Sequence, residues 1–127
     1  MPKAALDSVR NLSFSRTYRL ASKAEFQSVF ANPQKASRGP LLALYTPNSL
    51  PHARLGVIVA KRHFKRAVDR NLLRRLVKES FRHYCDKLPG LDIVFMFRAR
   101  YQVIDKSNIR KEIDSLWPSL VASSKPV

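Results

Sequence analysis

The sequence is poor in cysteine, in glycine and in acidic residues, and it has no long apolar run. Its single cysteine, Cys85, can form no disulfide within the chain and cannot by itself build a cysteine-based zinc site. Apolar runs such as residues 56–60 are far too short to cross a bilayer, and the first residues lack the apolar core of a signal peptide. We therefore expect a cytoplasmic protein that is neither secreted nor bound to a membrane.

Acidic residues are too few to balance the basic ones. Nine Asp and Glu stand against 24 Lys and Arg, which gives a formal net charge of +15 and an isoelectric point near 10.8. Because 45% of the 127 residues are hydrophobic, the chain can still bury a core, unlike a disordered basic tail. These figures predict one folded domain with a polyanionic partner. Because residues 1–18 mix Ser, Arg and isolated apolar residues without a sustained period, we expect an irregular or flexible arm there, followed by the domain over residues 19–122 and a flexible end at 123–127.

The sequence also lacks a recognisable catalytic apparatus. His52, His63 and His83 are too widely spaced to suggest a metal site, and the acidic residues are too scattered for a two-metal nuclease centre. The three glycines do not form a phosphate-binding loop. We expect no catalytic residue and no metal ion bound by protein side chains.

Hydrophobic periodicity indicates alternating helices and strands. Ser22 and Glu25 form a capping box at the start of a predicted helix, and a period of 3.6 predicts a second helix that carries Leu73, Leu76 and Phe81 on its apolar face. A closing amphipathic helix should bend or stop early at Pro118. The predicted elements are helix 22–31, strands 41–46 and 55–60, helix 67–84, strand 92–98 and a helix through residues 109–120. Their order predicts a single α+β domain, or an open α/β one, with helices on one small sheet.

More than half of the excess positive charge lies in 29 residues. Residues 54–82 contain ten basic residues and only two acidic ones. A helix face kept only for stability would be expected to mix charges, since like charges at i,i+4 are unfavourable. Arginine also favours phosphate, because its guanidinium binds two oxygens at once. The predicted polyanion-binding face of helix 67–84 consists of Arg70, Asn71, Arg74, Arg75, Lys78 and Arg82.

Three aromatic residues are open to two interpretations. Phe26 and Phe30 are spaced i,i+4 on the first helix, and Tyr45 lies in a predicted strand. Aromatics in such positions more often belong to the core. Single-stranded nucleic acid could instead stack on them, with each base contributing about 1–3 kcal/mol.

At residues 54–62 and 67–82 the sequence resembles the signature region of the bacterial ribonuclease P protein subunit. The resemblance extends to Arg19-Leu20, to residues 25–30 and to residues 92–98, so that about residues 16–117 are covered. It implies a protein subunit that binds a catalytic RNA and helps it remove the 5′ leader of precursor tRNA, while the RNA and its bound Mg²⁺ hydrolyse the phosphodiester. It also implies a four-stranded sheet with three helices in the order αβββαβα and a left-handed βαβ crossover, which connection rules disfavour.

The resemblance implies two groups of binding residues. The leader of precursor tRNA would lie against Phe26, Phe30 and Tyr45. The RNA subunit would contact Lys61, Arg62, Lys65, Arg66, Arg70, Asn71, Arg74, Arg75, Lys78 and Arg82.

Two positions depart from the family pattern. Leu72 stands where the Arg-Asn-Arg motif usually has its second arginine, and Lys78 replaces a frequent arginine. Both changes suggest a weaker or rearranged contact. The main alternative is a ribosomal or other structural RNA-binding protein without an enzymatic role, and a protein endonuclease is disfavoured by the scattered acids.

Overall fold

The computed structural model describes residues 18–20, 22–31, 33–101 and 103–124, which form three α-helices and one four-stranded sheet. In chain order the elements are α1 (Lys23–Ala31), β1 (Gln34–Arg38), β2 (Leu41–Pro47), β3 (Arg54–Ile58), α2 (Ala67–Tyr84), a 3₁₀ turn (Cys85–Lys87), β4 (Leu91–Phe97) and α3 (Lys106–Ser124). The predicted α+β class and the order αβββαβα are confirmed.

The sheet is mixed, with strand order β1-β2-β4-β3. β1 pairs with β2 and β2 pairs with β4 antiparallel, whereas β3 and β4 run parallel and are connected through α2. A parallel pair needs such a long connection, because a tight turn can only join antiparallel strands. The connection places the basic helix beside the edge strand β3; its left hand stays a prediction.

The two faces of the sheet bury different side chains. The larger core joins β2, β3 and β4 to α2 and α3 through fully buried residues such as Phe81, Phe95 and Trp117. A smaller cluster on the opposite face joins α1 to the sheet through Val29, Leu44 and their neighbours. α1 and α2 are therefore held to the sheet by the burial of their apolar sides, and their polar sides remain available to solvent or a ligand.

The local signals at α1 and α2 predict their bounds well. The backbone N–H of Glu25 donates to Ser22 Oγ at 3.1 Å, and that of Ser22 donates to Glu25 Oε1 at 3.0 Å, so the capping box is present. α2 has the predicted bounds, and its buried side follows the predicted apolar period. None of the helices within the described part of the chain is long and apolar enough to cross a membrane.

Two features of the fold differ from the sequence predictions. β1 consists of five polar or small residues and gives no apolar alternation, because an edge strand is held mainly by backbone pairing to β2. The sequence predicts that the last helix bends or stops early at Pro118. The stop is wrong, since α3 continues to Ser124, and the bend stays a prediction. Pro118 is exposed while Trp117 and Leu120 are fully buried, so their burial offsets the hydrogen bond that the proline removes.

Candidate nucleic-acid interface

The side of α2 opposite the core carries the predicted cations. Leu73, Val77 and Phe81 are buried against the sheet and α3, whereas Asn71 and Arg75 are exposed. Arg70, Arg74, Lys78 and Arg82 are half-buried at the flanks of the helix. The structure therefore gathers these side chains on one surface, which we call the α2 basic face (Arg70, Asn71, Arg74, Arg75, Lys78 and Arg82).

The basic residues of the α2 basic face differ in the hydrogen bonds and ion pairs that they form within the protein. Nη1 of Arg70 donates to the carbonyl oxygens of Phe64 and Lys65, both at 2.8 Å, so this arginine holds the preceding loop against the helix. Nη1 of Arg74 donates to Asn71 Oδ1 at 3.1 Å, which fixes the guanidinium without neutralising it. Arg82 lies 3.9 Å from a carboxylate oxygen of Glu79, which partly balances its charge.

Arg54, one of the ten basic residues counted in residues 54–82, is neutralised. Its Nε and Nη2 donate to the two carboxylate oxygens of Asp92 at 2.8 and 2.7 Å, and its Nη1 donates to Glu25 at 2.9 Å. Asp92 is buried and also accepts a hydrogen bond from Asn48. Arg54 therefore ties α1 to the sheet, and we assign it no part in ligand binding.

A groove at the edge strand β3 brings α1 and α2 together. A cavity of about 150 Å³ lies there, with Phe26, Arg74, Lys78 and Arg19 among its lining residues. The backbone N–H of Leu20 donates to the carbonyl of Leu55 at 3.0 Å, and this bond fixes the segment that carries Arg19 along β3. We call this site the β3 groove (Arg19, Leu20, Phe26, Leu55, Gly56, Val57, Arg74 and Lys78).

Lys78 lies close enough to Arg74 and Arg19 in the β3 groove to be repelled by both of their charges. Burial lowers the pKa of Lys78 below its usual value, and the charges of Arg74 and Arg19 lower it further. An anion in the groove would relieve this repulsion, because it would replace like-charge contacts with opposite-charge ones. The electrostatics of the groove thus suit a phosphate group.

The aromatic residues predicted to line the leader site are not all in one place. Phe26 lies in the β3 groove, where its ring packs over Gly56 so closely that a Cβ there would be 2.5 Å from Phe26 Cζ. Phe30, one helical turn later, is 43% exposed. Tyr45 is only 1% exposed and belongs to the core on the opposite face of the sheet. Assigning Tyr45 to the same surface as Phe26 and Phe30 is therefore wrong.

The loop before α2 carries the remaining predicted cations. Lys61, Arg62, Lys65 and Arg66 are all exposed in the structure. Arg62, Lys65 and Arg66 line a second cavity, of about 250 Å³, together with Arg100. The two cavities have no lining residue in common.

Sequence reasoning did not assign Arg19 or Arg100 to a site. Arg19 precedes α1 and Arg100 follows β4, so each reaches the basic surface only through tertiary contacts. A local charge count therefore passes over both. Arg19 is singled out in the sequence only by the resemblance of Arg19-Leu20 to the family pattern.

The fold and this site together define a class: a small α+β protein with a basic helix that lies beside the edge of a four-stranded sheet. Comparison with known proteins makes the class specific. The family model "Ribonuclease P" matches residues 14–121. The ribonuclease P protein component of Pasteurella multocida (strain Pm70) is 42% identical over 106 residues, which cover 84% of this chain and 89% of that protein. This chain belongs to the ribonuclease P protein family.

Solved structures agree in fold. The RNase P protein of Thermotoga maritima has a TM-score of 0.70 at 27% identity, covering 80% of this chain and 96% of that one. The Staphylococcus aureus RNase P protein has a TM-score of 0.75 at 21% identity, covering 82% of this chain and 97% of the other. The α+β architecture is therefore that of known RNase P proteins.

Proposed function

We propose that this chain is the protein subunit of a ribonuclease P ribonucleoprotein. It binds the catalytic RNA subunit through the α2 basic face and contacts the 5′ leader of precursor tRNA beside α1. In this role it assists the endonucleolytic removal of the leader during 5′ maturation of tRNA in the cytoplasm.

The β3 groove is the observation that carries this proposal. It places an aromatic ring, Phe26, in the same cavity as the cations Arg19, Arg74 and Lys78. Single-stranded nucleic acid needs both kinds of group, since cations hold its phosphates and flat rings stack on its bases. A groove of this composition lets one strand lie between α1 and the helix that faces the RNA subunit.

We assign the bond cleavage to the RNA subunit and not to this chain. Mg²⁺ binds to oxygen ligands, mainly carboxylates, in proteins. The α2 basic face and the β3 groove instead present guanidinium, ammonium and aromatic groups, which fit poorly as its ligands. Mg²⁺ bound by the RNA subunit and the substrate supplies the hydrolytic chemistry, while the protein binds and orients the RNA chains.

A reconstituted holoenzyme tests the leader contact. Phe30→Ala removes the exposed ring of α1 and should reduce the preference for leader-bearing over mature tRNA, because one stacking contact is worth about 1–3 kcal/mol. Val68→Ala is the matched control, since Val68 is also exposed and apolar (57%) but lies on α2. Equal loss of affinity for both tRNA forms would remove Phe30 from the leader site.

The RNA that copurifies with the chain tests the partner. We expect a ribonuclease P RNA whose recovery falls in the Arg75→Ala variant and persists in Arg38→Ala. Both residues are exposed arginines, but Arg38 lies on β1 at the opposite edge of the sheet. Recovery of ribosomal RNA without a ribonuclease P RNA would favour the structural RNA-binding alternative.

A further inference from the structure

The second cavity is formed by segments that lie far apart in the sequence. Its wall on one side is the loop before α2, and on the other the segment that follows β4. Arg62, Lys65, Arg66 and Arg100 contribute four cationic side chains to it, against one carboxylate, that of Asp69. We call it the Arg100 cavity. Its strong excess of positive charge calls for an anionic ligand.

Contacts with the core hold the walls of the Arg100 cavity in place. The hydrogen bonds from Arg70 to the carbonyls of Phe64 and Lys65 attach the loop to α2. The Phe64 side chain is buried, and its ring meets that of Phe97 edge-on with centroids 5.8 Å apart. On the other wall, Tyr101 donates from its hydroxyl to Glu112 at 3.1 Å. A site whose backbone is fixed before binding loses less entropy when it binds.

The volume of the cavity limits the ligand. At about 250 Å³ it is smaller than the 300–1,000 Å³ typical of pockets that enclose a whole drug-sized molecule. Three of the four cations are arginines, whose planar groups bind phosphate oxygens in pairs. A single phosphate with part of its attached sugar fits both the size and the charge.

The Arg100 cavity is also separate from the β3 groove. Arg66 lines the cavity and Arg74 lines the groove, and the offset of eight positions between them corresponds to a rise of about 12 Å along the helix axis. One phosphate cannot bridge that distance. The two sites therefore require two different phosphates.

We propose that the Arg100 cavity is a second phosphate site, which binds a backbone phosphate of the RNA subunit and is completed by Arg100. This proposal rests on the proposed function, because the RNA subunit is the source of the phosphate. Arg70 serves it as a positioning residue, since it holds the loop that carries Arg62 and Lys65. The α2 basic face then continues beyond the helix onto the segment after β4.

Salt-dependent binding of the full chain to the RNA subunit tests the proposal. Arg100→Gln should weaken binding about sixfold at 0.1 M salt and lower the log–log salt slope by about 0.7–0.9, the value of one phosphate contact. Arg98→Gln is the matched control, because Arg98 is exposed, lies two residues earlier and is absent from the cavity lining. Its Nη2 donates to the Gly39 carbonyl at 3.0 Å. The control should bind the RNA like the wild type.

Comparison with Arg74→Gln separates the two proposals. If Arg74→Gln weakens binding and Arg100→Gln does not, the Arg100 cavity is not an RNA site and the proposed function remains. If neither change affects binding, the proposed function itself fails. A titration of inorganic phosphate into the free chain distinguishes a free phosphate from an RNA phosphate as the ligand. It is followed by the amide NMR signals of Lys65, Arg66 and Arg100. Saturable binding without any effect of Arg100→Gln on RNA affinity would overturn the assignment to the RNA backbone.

Discussion

Neutralising Arg74 should weaken RNA binding, whereas neutralising Arg54 should lower the stability of the fold. Arg74 and Lys78 lie together in the β3 groove, and the guanidinium of Arg74 donates to an amide oxygen. Arg54 instead forms ion pairs with Asp92 at 2.7 Å and with Glu25 at 2.9 Å. The variants Arg74→Gln and Arg54→Gln lower the net charge equally. Any difference in RNA binding between the two variants therefore reflects the position of the lost charge and not its amount.

For Arg74→Gln the expected loss is in RNA binding. One phosphate contact contributes about 0.8 to the salt slope, which corresponds to about sixfold in affinity at 0.1 M salt, or ~1.1 kcal/mol. The ratio of wild-type to variant affinity should then fall about threefold between 50 and 200 mM salt. Filter binding or fluorescence anisotropy with the RNA subunit at four or five salt concentrations gives both numbers.

For Arg54→Gln the expected loss is in stability. Removing one partner of a buried ion pair costs about 3–5 kcal/mol, and we expect about 2–4 kcal/mol here because a fifth of the Arg54 side chain (21%) remains exposed. Urea unfolding should show this loss, while the salt slope of RNA binding stays that of the wild type. Equal changes in salt slope for both variants would refute the reasoning, since only net charge would then matter.

Three further outcomes are expected. Gly56→Ala should force the Phe26 ring out of the β3 groove, because the new Cβ would lie 2.5 Å from Phe26 Cζ; the preference for leader-bearing tRNA should fall, and an unchanged preference would contradict this. Trp117→Phe removes the indole N–H that donates to the buried Ser80 Oγ at 2.6 Å, and the free energy of unfolding should drop by about 1–3 kcal/mol in urea titrations. The free energy of unfolding of the wild type, relative to that of Lys78→Met, should rise as the pH increases towards 10.5. Because the pKa of Lys78 is lowered in the folded chain, the unfolded chain binds more protons than the folded one in this range. Parallel pH profiles of the two proteins would contradict this prediction.

The elements that the sequence predicts well are those whose signals are local. α2 has both a sustained apolar period and a one-sided charge pattern, and α1 begins with a capping box. β1 gives no such signal because its side chains are polar and its partner strand supplies the order. Pro118 misleads for the opposite reason, since a strong local rule yields to burial of its neighbours.

The candidate site is only partly predictable for a related reason. Residues 41–45 form a continuous apolar run, so the sequence alone cannot say which face of the sheet Tyr45 occupies; the structure puts it in the larger core. Arg19 and Arg100 lie outside the basic segment of the sequence and come next to it only in the folded structure. Charge patterns thus predict the centre of the surface, whereas tertiary contacts decide its extent.

Residue 72 shows the same difference between a local motif and the arrangement of charges in space. Leu72, which stands where the family motif usually has an arginine, is half-buried and packs against the larger core. An arginine side chain there would have its stem along the same apolar surface and its head in water. This chain has no cation at position 72 of α2, whereas Arg100 adds one to the lining of the Arg100 cavity from the segment that follows β4. The extent of a basic surface therefore has to be judged from the positions of its charges in space, and a motif-by-motif count along one helix underestimates it.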